Sequence, residues 1–229
     1  MNGVGRMPSS RKLKLTIGAF KTLGPDLSGD ECVVELGFGQ GWASVMLKRE
    51  YPNCYVVASD VSPHALQMAE GYEKLIGASI DEKWASSASG LPFTDGQIDV
   101  VFCFAHHFMI GDRYAATLKE MLRILRPGGR IVLLFESCSP RFLYGMATRR
   151  VNKNRAQVAA IDEDVLQLTR LSEESTKLGA TFEYEHFPDY QDRLSIISSF
   201  YYLVLNKMPL LQPLLPCTIN VRITKSLSS

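Results

Sequence analysis

Cys32-Val33-Val34-Glu35-Leu36-Gly37-Phe38-Gly39-Gln40-Gly41 is the stretch whose reading decides the fold. A short β-branched apolar run carries one acid, Glu35, and then breaks into three glycines at alternate positions. Trp42 to Glu50, directly after it, has helical composition. Strand, glycine turn and helix form the opening unit of a doubly wound α/β domain. Glycines let the backbone turn tightly and approach a ligand with no Cβ in the way. In an open parallel sheet the ligand lies at the carboxyl ends of the strands, where this loop falls.

The spacing then discriminates among ligands. A dinucleotide fingerprint needs G-x-G-x-x-G, with pyrophosphate on the helix N-terminus. The pattern here is E-x-G-x-G-x-G, with a carboxylate inside the strand two residues before the first glycine. That carboxylate would repel a pyrophosphate and suits a ligand carrying an ammonium or sulfonium group. A plain tight turn explains the glycines but not the acid. The pattern resembles motif I of the class I S-adenosylmethionine-dependent methyltransferases. The resemblance implies S-adenosylmethionine as cofactor, with Glu35 facing its methionine end and Gly37, Gly39 and Gly41 letting the backbone close on it.

The chain around this stretch reads as follows. Residues 1–8 form a flexible tail, and Ser9 or Ser10 caps a helix running to about Leu23, stopped by Gly24-Pro25. In the family resembled such a helix lies over the cofactor; plain packing explains it equally. Cys54 to Ser59 is a second apolar strand ending in Asp60, nineteen residues beyond Gly41. At about this spacing an acid meets ribose hydroxyls in nucleotide-binding α/β units. Asp60 also stands before a helix start, where Ser62 can cap and Pro63 takes the first turn. The phrase from Val57 to Leu66 is similar to the family's motif II, which implies cofactor contacts for Asp60 and Val61. A helix from Pro63 to about Ile76, ended by Gly77, and a short third strand near Lys83 to Ser86 come next.

Ser87 to Asp99 resembles a family segment written D-A-x-x-L-P-F-x-D-x-x-F-D. The resemblance implies adenine contacts at Ser87 and Ala88, although Ser87 replaces an acid and a hydroxyl accepts less strongly than an ionised group. Ile98 to Ala105 is a continuously apolar strand, as buried parallel strands are. Asp99, near its start, is expected to anchor a turn. At its carboxyl end Phe104 is a candidate to pack on the cofactor. His106 and His107 titrate near neutrality and are the candidate proton acceptors, against an ordinary structural role. An amphipathic helix from Asp112 to Leu125, the turn Leu125-Arg126-Pro127-Gly128-Gly129-Arg130 and a strand from Ile131 to Phe135 complete the resemblance.

Two later segments are candidates to carry the acceptor. Residues 137–161 contain no acid but hold Arg141, Arg149, Arg150, Lys153 and Arg155. They read either as a solvated helix face or as a cap attracting an anionic acceptor, with Arg141 nearest the strand end. A helix from Asp162 to Leu178 and a half-buried strand from Thr181 to Phe187 follow. Residues 188–217 include Phe200 to Leu205 and the leucine pairs 210–211 and 214–215. Core helix, acceptor pocket, dimer face and membrane-surface contact all remain open for them. Cys217 to Thr224 is the last strand, which by resemblance inserts antiparallel beside the fifth.

The totals agree with one domain over residues 9–226. Of 229 residues, 46% are hydrophobic and 21% charged, and the net charge of +1 exerts no general pull on nucleic acid or membrane. Five scattered cysteines without C-x-x-C spacing indicate neither a disulfide framework nor a zinc site, and fit a cytoplasmic location. No metal site is expected, and neither a signal peptide nor a membrane-spanning run is visible. The expectation is an α/β, Rossmann-like, doubly wound seven-stranded mixed sheet with an antiparallel last strand. Its function would be methyl transfer from S-adenosylmethionine to a small-molecule, glycan or lipid-linked acceptor. The alternatives are a non-catalytic binding or scaffold protein of the same fold, or an NAD-dependent oxidoreductase. Nucleic acid is not expected as a partner; a homodimer and peripheral membrane contact stay open.

Overall fold

In the computed structural model, residues 27–39, 41–104, 114–138, 168–186, 200, 203–204, 207–208 and 217–227 are described. The strands are β1 (Cys32–Leu36), β2 (Tyr55–Asp60), β3 (Glu82–Ala85), β4 (Ile98–Phe104), β5 (Leu125–Cys138), β6 (Ala180–His186) and β7 (Cys217–Lys225), with the apolar runs in the central ones. They form one sheet in the order β3-β2-β1-β4-β5-β7-β6. Neighbours from β3 through β5 are parallel, and β7 runs antiparallel to both β5 and β6. This is the seven-stranded mixed sheet that the sequence leads one to expect. Strand order reverses between β1 and β4, so the switch point of the doubly wound sheet lies there.

Successive residues of the central strands point to opposite faces, and each face has its own core. Val34, Leu36, Val101, Cys103, Ile131 and Leu133 pack with Leu118, Met121 and Leu122 of α3 (Tyr114–Ile124) and Leu171 of α4 (Leu168–Lys177). Val33, Val100, Phe102, Val132 and Leu134 pack with Val45 and Leu47 of α1 (Trp42–Glu50) and Leu66, Ala69 and Tyr72 of α2 (Pro63–Ile76). Burial on both sides explains why these strands read as unbroken apolar runs. Each fully buried aliphatic side chain contributes about 1.5–3 kcal/mol.

Polar residues fasten the ends. Asp99 accepts the Cys32 N–H at 2.7 Å and pairs with Arg126, so the expected anchor joins β1, β4 and the start of β5. The L-P-F segment is clamped to α3: Glu120 accepts the Leu91 N–H at 2.7 Å, and Arg123 donates to the Leu91 carbonyl at 3.2 Å and to Asp95 at 2.6 Å. Phe93 stacks on Trp84 with ring centroids 4.8 Å apart. In the R-P-G-G turn, a Cβ at Gly129 would stand 2.9 Å from the Arg126 carbonyl and 3.0 Å from that of Asp99.

One boundary differs from expectation. The turn at residues 125–130 lies within β5, because Leu125 pairs with Ile98 and regular pairing resumes only at Arg130 with Val100. The expected leading helix at residues 9–23 lies outside the described residues, as do most of segments 137–161 and 188–217.

Candidate functional site

The carboxyl edge is built from the loop after β1. Gly37 and Phe38 N–H groups donate to the Ser59 carbonyl at 3.0 and 3.2 Å, tying the loop to the end of β2. Gly41 closes the turn, its N–H reaching the Phe38 carbonyl at 2.8 Å. The two later glycines differ in purpose. A Cβ at Gly41, where φ is +81°, would stand 2.0 Å from the Phe38 ring, so this glycine exists to seat that ring. A Cβ at Gly39, where φ is +54°, would meet nothing nearer than the Gly37 carbonyl at 3.9 Å. Gly39 therefore leaves its outer side open to a ligand.

Glu35 lies beneath this loop and is 1% exposed. One oxygen accepts the Ser44 N–H at 3.0 Å and also bonds the Ser44 hydroxyl. Gly41 offers α1 no side-chain cap, and the acid from the neighbouring strand supplies one instead. Burial pushes the Glu35 carboxyl up to about 8; the Ser44 bonds oppose the rise and the charge of Asp60 adds to it. A cation arriving beside it would favour the ionised form.

Asp60 ends β2 and links two loops. One oxygen accepts the Gly39 N–H at 2.9 Å, the other the Ser62 N–H at 2.8 Å. Each carboxylate oxygen has a second lone-pair site for a ligand. Ser62, rather than Asp60, caps α2 through the Ala65 N–H at 3.4 Å. Val61 is 72% exposed on the same edge. Beyond β3, Ser87 is exposed and bonds Ser89 at 3.0 Å, with Ala88 half-buried beside it. The Ser59 and Ser86 hydroxyls, 2.6 Å apart, join the ends of β2 and β3.

At the other side of the switch point Phe104 ends β4, half-buried and in edge-to-face contact with Trp42. The fold thus brings Glu35, Gly37, Gly39, Gly41, Asp60, Val61, Ser87, Ala88 and Phe104 to one carboxyl edge, from β3 to β4. His106, His107 and Arg141 lie outside the described residues. Two residues on this edge escaped the sequence reading. Trp42 looked like the start of a helix core. Glu136, near the end of β5, is 1% exposed and raises the pKa of the Cys103 thiol after the larger effect of burial. Between Leu133 and Glu136, β5 takes three steps against two on β7, a bulge that turns Glu136 to the side of Ile219. An acid inside an otherwise apolar strand end was the available signal.

The fold and this edge define a doubly wound α/β domain with its candidate site at the switch point of the sheet. Residues 33–129 match the family model described as a methyltransferase domain. A demethylmenaquinone methyltransferase from Thermus thermophilus is 32% identical over 117 residues, 51% of this chain and 52% of the relative. A malonyl-[acyl-carrier protein] O-methyltransferase from Hahella chejuensis is 31% identical over 111 residues, 46% of this chain and 38% of the relative. The chain spans about half the first relative's length and less of the second's. Among solved structures, the YcgJ protein from Bacillus subtilis superposes with a TM-score of 0.65 at 15% identity, covering 93% of this chain and 98% of that one. A geranyl diphosphate methyltransferase in complex with SAM gives 0.67 at 15% identity, covering 93% and 85%. These two likenesses concern the fold.

Proposed function

We propose that this chain is an S-adenosylmethionine-dependent methyltransferase acting on a small-molecule, glycan or lipid-linked acceptor. The observation that carries the reading is the pairing of a buried acid, Glu35, with an open-sided glycine, Gly39, and the acid Asp60 on the next strand. Those residues fit a cationic nucleoside: Glu35 suits its charged methionine end, Gly39 lets backbone approach, and Asp60 can accept both hydroxyls of a ribose. Val61, Ser87 and Ala88 take the adenine in this reading, as the family resemblance implies. The bound cofactor supplies a methyl group already activated by its sulfonium.

The protein's part is alignment and exclusion of water. The hydrogen bonds that fix Gly39 to Asp60 and Glu35 to Ser44 hold the loop in place before any ligand arrives. For an oxygen or carbon acceptor His106 or His107 takes the proton, while a neutral amine needs no base. Arg141 attracts an anionic acceptor. The acceptor named for the Thermus thermophilus relative, demethylmenaquinone, falls within the proposed range.

Calorimetry tests the cofactor half. The wild type should bind S-adenosylmethionine, and Asp60→Asn should bind it about 10- to 100-fold more weakly, as expected for losing a charge-assisted diol contact. No binding by the wild type would sink the reading. Binding without labelled product from any extract would favour the non-catalytic alternative.

A further inference from the structure

Ser44, the third residue of α1, is fully buried. A buried hydroxyl needs a partner, and in a helix the carbonyl one turn back is at hand. Ser175 in α4 takes that course, donating to the Leu171 carbonyl at 2.7 Å. Ser44 instead sends its hydroxyl across to β1, onto Glu35 Oε2, the same oxygen that accepts its N–H at 3.0 Å. Two donors of one residue thus converge on one oxygen of the acid. Among the described residues, no hydrogen bond falls on the other oxygen, Oε1.

This grip has a geometric and an electrostatic effect. A carboxyl group is planar, so holding one oxygen at two points fixes where the second one stands. Glu35 sits between Ala58 and Phe102 on the flanking strands, two residues before the glycine loop. Both Ser44 donors favour the ionised acid, against the burial that disfavours it, and the N-terminus of α1 acts in the same sense as the donors. We propose that Ser44 is a positioning residue for the amino-acid end of the cofactor: by holding Oε2 it keeps the carboxyl oriented, with Oε1 left for the ligand's ammonium group. The inference rests on the methyltransferase reading and deepens it. A serine that merely braced α1 would matter equally for every ligand of the crevice. One that acts through Glu35 matters only for ligands that carry the ammonium.

Calorimetry with two thioether nucleosides separates these cases: S-adenosylhomocysteine, which carries the amino-acid end, and methylthioadenosine, which lacks it. Ser44→Ala should weaken S-adenosylhomocysteine about 5- to 20-fold and methylthioadenosine by less than about twofold. On a Glu35→Gln background the same substitution should change S-adenosylhomocysteine affinity by less than about twofold, because no carboxylate remains to be held. Equal losses for the two nucleosides, losses that add in the double variant, or no loss at all would overturn the assignment. Where methylthioadenosine binds too weakly to measure, the double variant decides. Should Ser44→Ala lose its cooperative melt, Ser44→Cys keeps a side chain of similar size with a weaker donor and is read by the same outcomes. A wild type that binds neither nucleoside overturns the methyltransferase reading and this inference together. One that binds S-adenosylhomocysteine, with the coupling to Glu35 missing, overturns the part given to Ser44 alone.

Discussion

Glu35 caps α1 through Ser44, and the proposed function gives the same residue a second duty toward the cofactor. Its pattern position singled the acid out, because a carboxylate in an apolar strand needs a reason. Its bond to Ser44 was not legible, since it joins residues on a strand and a helix whose relative placement only the fold sets. The burial has a measurable sign. The folded carboxyl sits at about 8 against 4.5 for the free side chain, so its contribution to stability is full below about 4.5 and is lost as pH rises through about 8. Relative to Glu35→Gln, the ligand-free wild type should lose stability across that window at no more than about 1.4 kcal/mol per pH unit. Denaturant melts of both proteins at several pH values would measure it. A difference that stays flat with pH would show the group to be ionised throughout.

The glycine loop gives the lesson at the scale of an element. Three glycines at alternate positions looked equivalent in sequence, yet the missing Cβ of Gly41 makes room for Phe38 and that of Gly39 faces open space. Gly41→Ala should therefore cost about 2–4 kcal/mol, combining a left-handed backbone with a displaced ring. Gly39→Ala should cost only about 1 kcal/mol of stability but weaken cofactor binding by about tenfold or more. Thermal melts and calorimetry on the two variants separate these effects, and a Gly41→Ala protein as stable as the wild type would contradict the packing described. The places of Trp42 and Glu136 were hard to read for related reasons. Trp42 after a glycine turn reads as ordinary core, and the bulge in β5 that re-aims Glu136 leaves no mark on the apolar pattern.

Across the whole molecule, β1, β2 and β4 were legible because strands covered on both faces are predominantly apolar, and glycine or proline punctuates their ends. The place of β7 was not legible from periodicity, which says nothing about which strand lies beside which; family resemblance supplied it. The structure gives β7 two partners, and among the described residues β6 pairs with β7 and with no other strand. A chain ending at residue 216 should consequently leave β6 without a partner and lose its cooperative thermal transition, as monitored by near-ultraviolet circular dichroism. Survival of that transition would mean that the two outer strands contribute little to the sheet.

The same arrangement bears on biosynthesis. During translation β6 emerges from the ribosome before β7, and the slot beside β5 must stay vacant until the later strand arrives to fill it. The half of the sheet from β3 to β4 can assemble on the nascent chain, whereas its far margin is completed only after residue 225 has been released from the exit tunnel.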